Sequence, residues 1–239
     1  MKRTLVSILS ILLVSTLFAQ KTELKVSFNS GLFSFAGSSV ESTSKINYNK
    51  TSNFEERSYT NNPYGSKSGI GYGISVDVTR VTKNGVVIGA DLGYEVLRSL
   101  ITIDGINGFD GTAYFQLKAD GQTFLNYHFI NLFLHFGKRF NLNETDIDIV
   151  GGFDLNQCVK GVETGSATDV NGKEYTTYFN RKTITADPRL RIQMNVKYSK
   201  IGFNVGYAHG FVNYNAGFIG GNSRFNSRLI RFGLSYQIF

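Results

Sequence analysis

Tryptophan is absent from this chain of 239 residues, proline occurs twice and cysteine once. A single Cys158 cannot form an internal disulfide, and nothing beside it in the sequence supplies a base that would make it a nucleophile. Two prolines leave the backbone free to form long, uninterrupted ladders. No apolar run reaches the roughly 20 residues that a spanning helix needs; the longest, Leu5 to Phe18, is about 14. Acidic residues fall short of basic ones, giving a net charge of +7. The lysines and arginines are scattered among Asp, Glu, Asn and Gly rather than gathered in a stripe, which excludes the usual nucleic-acid footprint. Beyond the first residues no helical apolar period is found. The mean hydropathy of −0.12 would be too low for membrane helices. It is not too low for a barrel, which offers only alternate residues to lipid.

The first 20 residues read as an export signal: Lys2 and Arg3, then the apolar run, then the small residue Ala19 before Gln20 and Lys21. Leu17 stands where a second small residue is usual, and cleavage is expected after Ala19 or Gln20. No cysteine lies near the site, so a lipoprotein anchor is excluded. Residues 21–239 are then one domain of net charge (25 − 2) − 18 = +5.

Glycine (26), phenylalanine (20) and tyrosine (13) are abundant. They fall within eight stretches that alternate apolar and polar side chains, the pattern of two-faced strands. The first, 23–35, sets Leu24, Val26, Phe28 and Leu32 against Lys25, Ser27 and Asn29. The second, 69–81, sets Ile70, Tyr72, Ile74, Val76 and Val78 against Gly71, Gly73, Ser75, Asp77 and Thr79. Asn84 and Gly85 supply the positive φ of a tight hairpin. The third, 86–98, carries Ile88, Ala90, Leu92, Tyr94 and Val96 opposite Gly89, Asp91, Gly93 and Glu95. In the fourth, 122–140, both faces carry aromatics; Ile130, Leu132, Leu134 and Phe136 are assigned outward, and Asn131, His135 and Arg139 inward. The rest run 147–157, 189–198, 201–212 and 228–239. Polar connections are expected at 37–67, 99–120, 158–188 and 213–227, with Val170 to Lys173 at the tip of a hairpin. Short turns join the other ends, so long and short connections alternate.

Strands of about 10 to 13 residues suit the roughly 9 to 11 that cross a bilayer at a tilt, and no helix is available to cover an apolar sheet face. The expected fold is therefore all-β: an eight-stranded antiparallel up-and-down transmembrane β-barrel, its short turns periplasmic and its long loops outside. The leader ending Leu17, Phe18, Ala19, Gln20, the eight strands and the terminal Phe239 resemble the small outer-membrane barrels of Bacteroidota, in particular PorT-like barrels of OmpX size. Asn126, Tyr127, His128, Phe129, Ile130, Asn131, Leu132, followed by Lys138, Arg139 and Phe140, is similar to that group's central strand, with His128 and Asn131 departing from it. The terminal residue departs too. Ile238 and Tyr236 hold the outward parity, so Phe239 is either a bulge-like addition or a tolerated shift.

Inward positions separate by sign. Asp77, Asp91, Glu95, Asp148 and Asp154 come from the second, third and fifth strands; Lys25, Arg189, Arg191, Lys197 and Arg231 come from the first, sixth and eighth. Eight strands leave an interior that side chains fill, so these charges are expected to pair and plug it. A narrow porin-like or secretion-associated (type IX, PorT-like) channel is the alternative. A lipid enzyme would need His135 or His209 beside a serine and a carboxylate, and no Gly-x-Ser-x-Gly occurs. No catalytic residue, cofactor or metal is expected: His128 and His135 differ in parity, and Gly69, Gly71 and Gly73 open no helix. Tyr72, Tyr94, Tyr207 and Tyr236 read as interfacial belt residues. Expected partners are outer-membrane lipid, the barrel-insertion machinery, and a surface or secretion partner reached through the loops. Nucleic acid is excluded, and a monomer in the outer membrane of a Gram-negative bacterium is expected.

Overall fold

The computed structural model describes residues 19–50, 56–216 and 222–239, with side chains from Lys21 onward. The leader therefore lies outside the described residues, apart from the backbone of Ala19 and Gln20 in the first strand. Among the described residues eleven strands form one sheet: β1 (Ala19–Ala36), β2 (Thr43–Lys50), β3 (Glu56–Thr60), β4 (Lys67–Thr82), β5 (Val86–Phe109), β6 (Tyr114–Leu142), β7 (Thr145–Asp169), β8 (Glu174–Asn180), β9 (Arg189–Tyr198), β10 (Ile201–Gly210) and β11 (Asn226–Gln237).

Eight of them close a ring through antiparallel pairs. β1 joins β4, β4 joins β5, and the order continues through β6, β7, β9, β10 and β11 back to β1. Closure leaves the ring without an edge strand. The turns at one end are tight, and each uses a left-handed residue: Gly85 (φ 74°), Asn143 (φ 53°) and Ser199 (φ 53°). Asparagine and glycine take that conformation at low cost, which is why the chain reverses there.

The count of eight needs correcting, because the connections at the other end are not loops. β5, β6 and β7 run on for 24, 29 and 25 residues, well beyond the roughly 9 to 11 of a crossing strand. The expected connection at 99–120 shrinks to a turn between Phe109 and Tyr114. The segment 37–67 contains β2, which pairs parallel with the extended β5, and β3, which pairs with β2. The segment 158–188 contains the upper part of β7 and β8, folded back from a turn that includes Gly172 (φ 83°). These additions form a β-cap above the ring.

The cap exists because its interior is apolar. Ile46, Tyr48, Ile101, Ile103, Ile106, Ala167 and Tyr175 are buried together, with Phe115 and Ala119 packed against them. Composition alone made these stretches look polar, because Ser, Thr and Asn occupy the alternate, wet face.

At the C-terminus Leu24 donates to the Phe239 carbonyl (3.0 Å) and accepts from the Ile238 amide (2.8 Å). One residue thus opposes two, the geometry of a β-bulge, and both Ile238 and Phe239 lie exposed. The bulge accounts for the parity of Phe239.

Candidate functional site

The ring has two faces of opposite chemistry. Outward lie Phe28, Ile70, Ile74, Ile88, Leu92, Phe136, Phe153, Ile192, Phe203 and Leu234, all large, apolar and at least 47% exposed. Val76, Leu92 and Leu234, which a second layer would cover in a water-soluble sheet, stand open at 44%, 57% and 61%. Tyr72, Tyr94, Tyr207 and Tyr236 are exposed on the same wall. Val96 was expected there as well but is buried; it lies in register between the larger Tyr72 and His128. No helix among the described residues is long and apolar enough to cross a membrane, which says nothing of strands.

Inward, the polar residues form two clusters. Near the tight turns, Arg139 bridges Glu23 (Nη1 to Oε1 2.8 Å, Nη2 to Oε2 2.9 Å) and Asp148 (Nε to Oδ1 2.6 Å, Nη2 to Oδ2 2.8 Å). Lys197 donates to Glu23 at 2.8 Å and to Gln237 at 2.9 Å, and pairs with Asp146 at 3.0 Å. Lys25 lies between Glu23 (3.7 Å) and Asp77 (3.5 Å). Glu23 is fully buried, so this convergence of cations offsets its desolvation.

Higher up, Glu95 accepts from Arg189 (3.1 Å) and from Arg231. Arg189 also donates through Nε to Asp187 Oδ2 (2.8 Å) and approaches Asp154 at 4.0 Å. Its guanidinium lies over the rings of Phe129 (4.9 Å) and Phe33 (5.9 Å), and that of Arg191 over Phe133 (4.2 Å). Rings and carboxylates together hold these buried cations. Asp187 accepts further bonds from Tyr214 Oη (2.7 Å) and Ser227 Oγ (2.6 Å).

The ten residues assigned to the lumen are buried or pair with buried carboxylates, but they are not one network. Lys25, Asp77, Asp148 and Lys197 belong to the lower cluster, and Glu95, Asp154, Arg189 and Arg231 to the upper. Asp91 and Arg191 lie between them, with Asp91 Oδ1 and Arg191 Nε and Nη1 lacking a protein partner. Sequence reasoning missed Glu23, whose odd-numbered parity with Lys25 was the available signal. It also missed Asp187, which no periodicity marks because it precedes β9.

The plug is only half ionic. Above the upper cluster, Phe33, Phe35, Tyr64, Leu97, Leu125, Tyr127, Phe129, Tyr214 and Phe225 form an apolar core inside the ring. Phe35 meets Tyr64 (5.2 Å) and Tyr214 (4.9 Å) edge-on, and Tyr64 stacks on Phe225 (4.2 Å). A salt-bridge filling throughout was expected; aromatics fill the end next to the cap instead, where the interior meets the cap's own core. Cys158 is buried in this cluster, and apolar packing explains it without chemistry.

A cavity of about 30 Å³ lies beside Asp77, Asp91, His135 and Asn204. It is large enough for one water, and the orphaned Asp91 Oδ1, His135 Nδ1 and Asn204 Oδ1 would bind it. His135 Nε2 lies 3.6 Å from Asp77. His209 faces outward beside Tyr207, and His128 beside Tyr94, so the three histidines do not converge. Among the described residues no three His, Cys, Asp or Glu side chains form a metal-binding group.

No known family matches the chain, and no curated protein matches its sequence. Among solved structures it is similar to the attachment invasion locus protein Ail of Yersinia pestis in complex with the heparin analogue sucrose octasulfate, at 8% identity and a TM-score of 0.34, over 91% of this chain and 97% of Ail. It is also similar to Neisserial surface protein A (NspA), at 8% identity and a TM-score of 0.35, over 91% of this chain and 99% of NspA. At these values the fold rests on the strand pairings and not on the likeness.

Proposed function

We propose that this chain is an integral β-barrel of a Gram-negative outer membrane, non-enzymatic, with a closed lumen and an extracellular β-cap that meets a surface partner. One observation carries the reading: large apolar side chains stand exposed all the way round a closed ring. A half-exposed large side chain presents roughly 100 Å². The ten outward residues named above therefore expose about 1,000 Å², against the roughly 300–600 Å² of the largest patch on a soluble monomer. Lipid is the solvent that makes such a wall favourable, and a closed ring satisfies its own backbone within it.

The interior argues for a plug over a conduit. Arg189 and Arg231 meet Glu95 across the ring, and the Phe33, Phe35 and Tyr127 core closes the path above them. A function in contact with other molecules therefore falls to the cap, and kinship with the PorT-like barrels of Bacteroidota is part of the proposal. Fractionation tests it: the protein should sediment with the outer membrane and migrate faster on a gel before heating than after. Release with the periplasmic contents, without detergent, would overturn it. In planar bilayers the purified protein should pass no discrete current, and stepwise conductance would restore the channel alternative.

A further inference from the structure

We infer that the outer wall of β5, β6 and β7, just above the apolar band, holds the phosphate group of an anionic glycolipid from the leaflet that meets the cap. This rests on the membrane reading above. On β5 the outward apolar positions run from Val86 to Tyr94, which at roughly 3.3 Å per residue and a tilt of about 40° spans about 20 Å, close to the roughly 25 Å apolar belt of such barrels. Directly above it the chemistry changes. Val96, His128 and Lys160 share one level through the β5–β6 and β6–β7 registers, and Arg98 stands opposite Asn126 one level higher. Outward positions of this wall from Tyr94 to Thr102, Gln122 to Ile130 and Leu155 to Ser166 include no acidic residue.

The cations are held in place. Arg98 Nε donates to Asn126 Oδ1 at 2.7 Å, and its guanidinium lies over Phe124 at 5.2 Å. Asn126 is itself fixed by donating to Thr164 Oγ1 (3.1 Å) and the Val162 carbonyl (3.3 Å). Arg98 thus has its Nε engaged by a neutral amide, and among the described residues neither it nor Lys160 pairs with a carboxylate. His128 is oriented by Tyr94, Oη to Nδ1 2.6 Å. Arg98 and Lys160 stand on either side of β6 and one level apart, roughly 10 Å across at the usual strand spacing, and both side chains are long enough to lean over β6 towards one phosphate held between them. A lipid held by its acyl chains against the apolar band below would bring its headgroup phosphate to this height. An acidic protein surface or free phosphate would have no use for the band, which is why lipid is favoured.

The test is native mass spectrometry of the full chain released from detergent micelles, with three probes: a bis-phosphorylated diglucosamine glycolipid, the same lipid without phosphates, and inorganic phosphate. A surface cation contributes roughly fivefold in binding to an anionic lipid surface. The phosphorylated lipid should therefore exceed its phosphate-free form by about 25-fold, and Arg98→Gln with Lys160→Gln should remove that preference. Lys83→Gln, in a turn at the opposite end, should leave it unchanged. Equal retention of both lipids by the unaltered protein, a preference that survives the double substitution, or displacement by equimolar inorganic phosphate would each overturn the inference. Heat-modifiable mobility in the same samples reports the barrel separately, so failure of the lipid site and failure of the membrane reading are distinguishable.

Discussion

Arg139 offers the sharpest test of how the lumen is held together. It makes four charge-assisted hydrogen bonds, two to Glu23 and two to Asp148. Replacing it by methionine keeps most of the volume and removes all four. The loss is not their sum, because Glu23 keeps Lys197 at 2.8 Å, Lys21 at 3.1 Å and Lys25 at 3.7 Å. Asp148 keeps no cation within 4 Å among the described residues. Arg139→Met therefore leaves one buried carboxylate uncompensated, a cost of about 3–5 kcal/mol. Adding Asp148→Asn removes that charge and should recover about half, leaving roughly 2 kcal/mol for the lost bonds. The two substitutions should thus couple by at least about 2 kcal/mol, because whatever Asp148→Asn costs alone adds to that difference, far above the error of a double-mutant cycle. Because the chain lacks tryptophan, unfolding in urea from lipid vesicles would be followed by circular dichroism together with the heat-modifiable gel band. Arg139→Met within about 1 kcal/mol of the parent protein, the scale of a surface ion pair, would refute the claim that this cluster is structural. So would a double variant less stable than the single one.

Three further outcomes follow from the same geometry. A Cβ added at Gly89 would stand 2.5 Å from His135 Nε2 and 2.8 Å from the Val78 carbonyl, so Gly89→Val should cost about 1–3 kcal/mol of overpacking, read as a lower urea midpoint; an unchanged midpoint would show that the ring moves aside freely. At the β5–β6 tip, the Ala113 amide with the amide and hydroxyl of Thr112 holds the exposed Asp110 down at about 2. Its depressed value means that the contribution to the turn is present above the ordinary carboxylate range and is lost as pH falls through about 2, so a carboxyl titration followed by NMR should have its midpoint there, and a midpoint near 4 would contradict the turn. In the cap, Glu163 accepts from Thr60 (2.6 Å from N, 2.7 Å from Oγ1) and from Arg181 (2.8 Å), and Arg181 also donates to the Thr60 carbonyl (2.6 Å). Arg181→Ala should free β3 from β8 and speed protease cleavage within 37–66 several-fold on intact cells, while the ring stays resistant; equal cleavage rates would show that the apolar core alone holds the cap.

The ring was legible from the sequence because each strand there faces two unlike surroundings, and the period of two records them. Ile230, Leu234 and Tyr236 against Arg231, Gly233 and Ser235 suffice to orient β11. Tight turns were legible for the equally local reason that Asn84 and Gly85 tolerate positive φ. Glu23 and Asp187 were harder, since one begins the alternating run and the other lies just before it. The parallel pairing of β2 with β5 left no trace, because parallel partners are far apart in sequence and need no turn signal between them.

What hid the cap was a reversal of the rule that revealed the barrel. On the proposed membrane reading, apolar side chains point out within the lipid belt; above it, water is outside and they must point in. On β5 the even-numbered Ile88, Leu92 and Tyr94 are outward, whereas higher up it is Leu97, Ile101 and Ile103, odd-numbered and inward, that carry the apolar surface. On β6 the reversal is compressed: Leu125, Tyr127 and Phe129 are buried inward while Ile130, Leu134 and Phe136, only a few residues on, face out. Aromatics on both faces of that strand are therefore the signature of a strand passing from one solvent into another. The strand registers place the height of the reversal on three neighbouring strands: Tyr94 ends the apolar run of β5, and His128 and Lys160 stand one level above it. Moving it should move the protein in the membrane. Exchanging Tyr94 for lysine would lower the basic rim by one level, about 5 Å at a tilt of about 40°, and thin the belt on that side. Depth measured with lipid-borne quenchers against a fluorophore on the cap should shift accordingly, and an unchanged depth would mean that the rim does not set the membrane boundary.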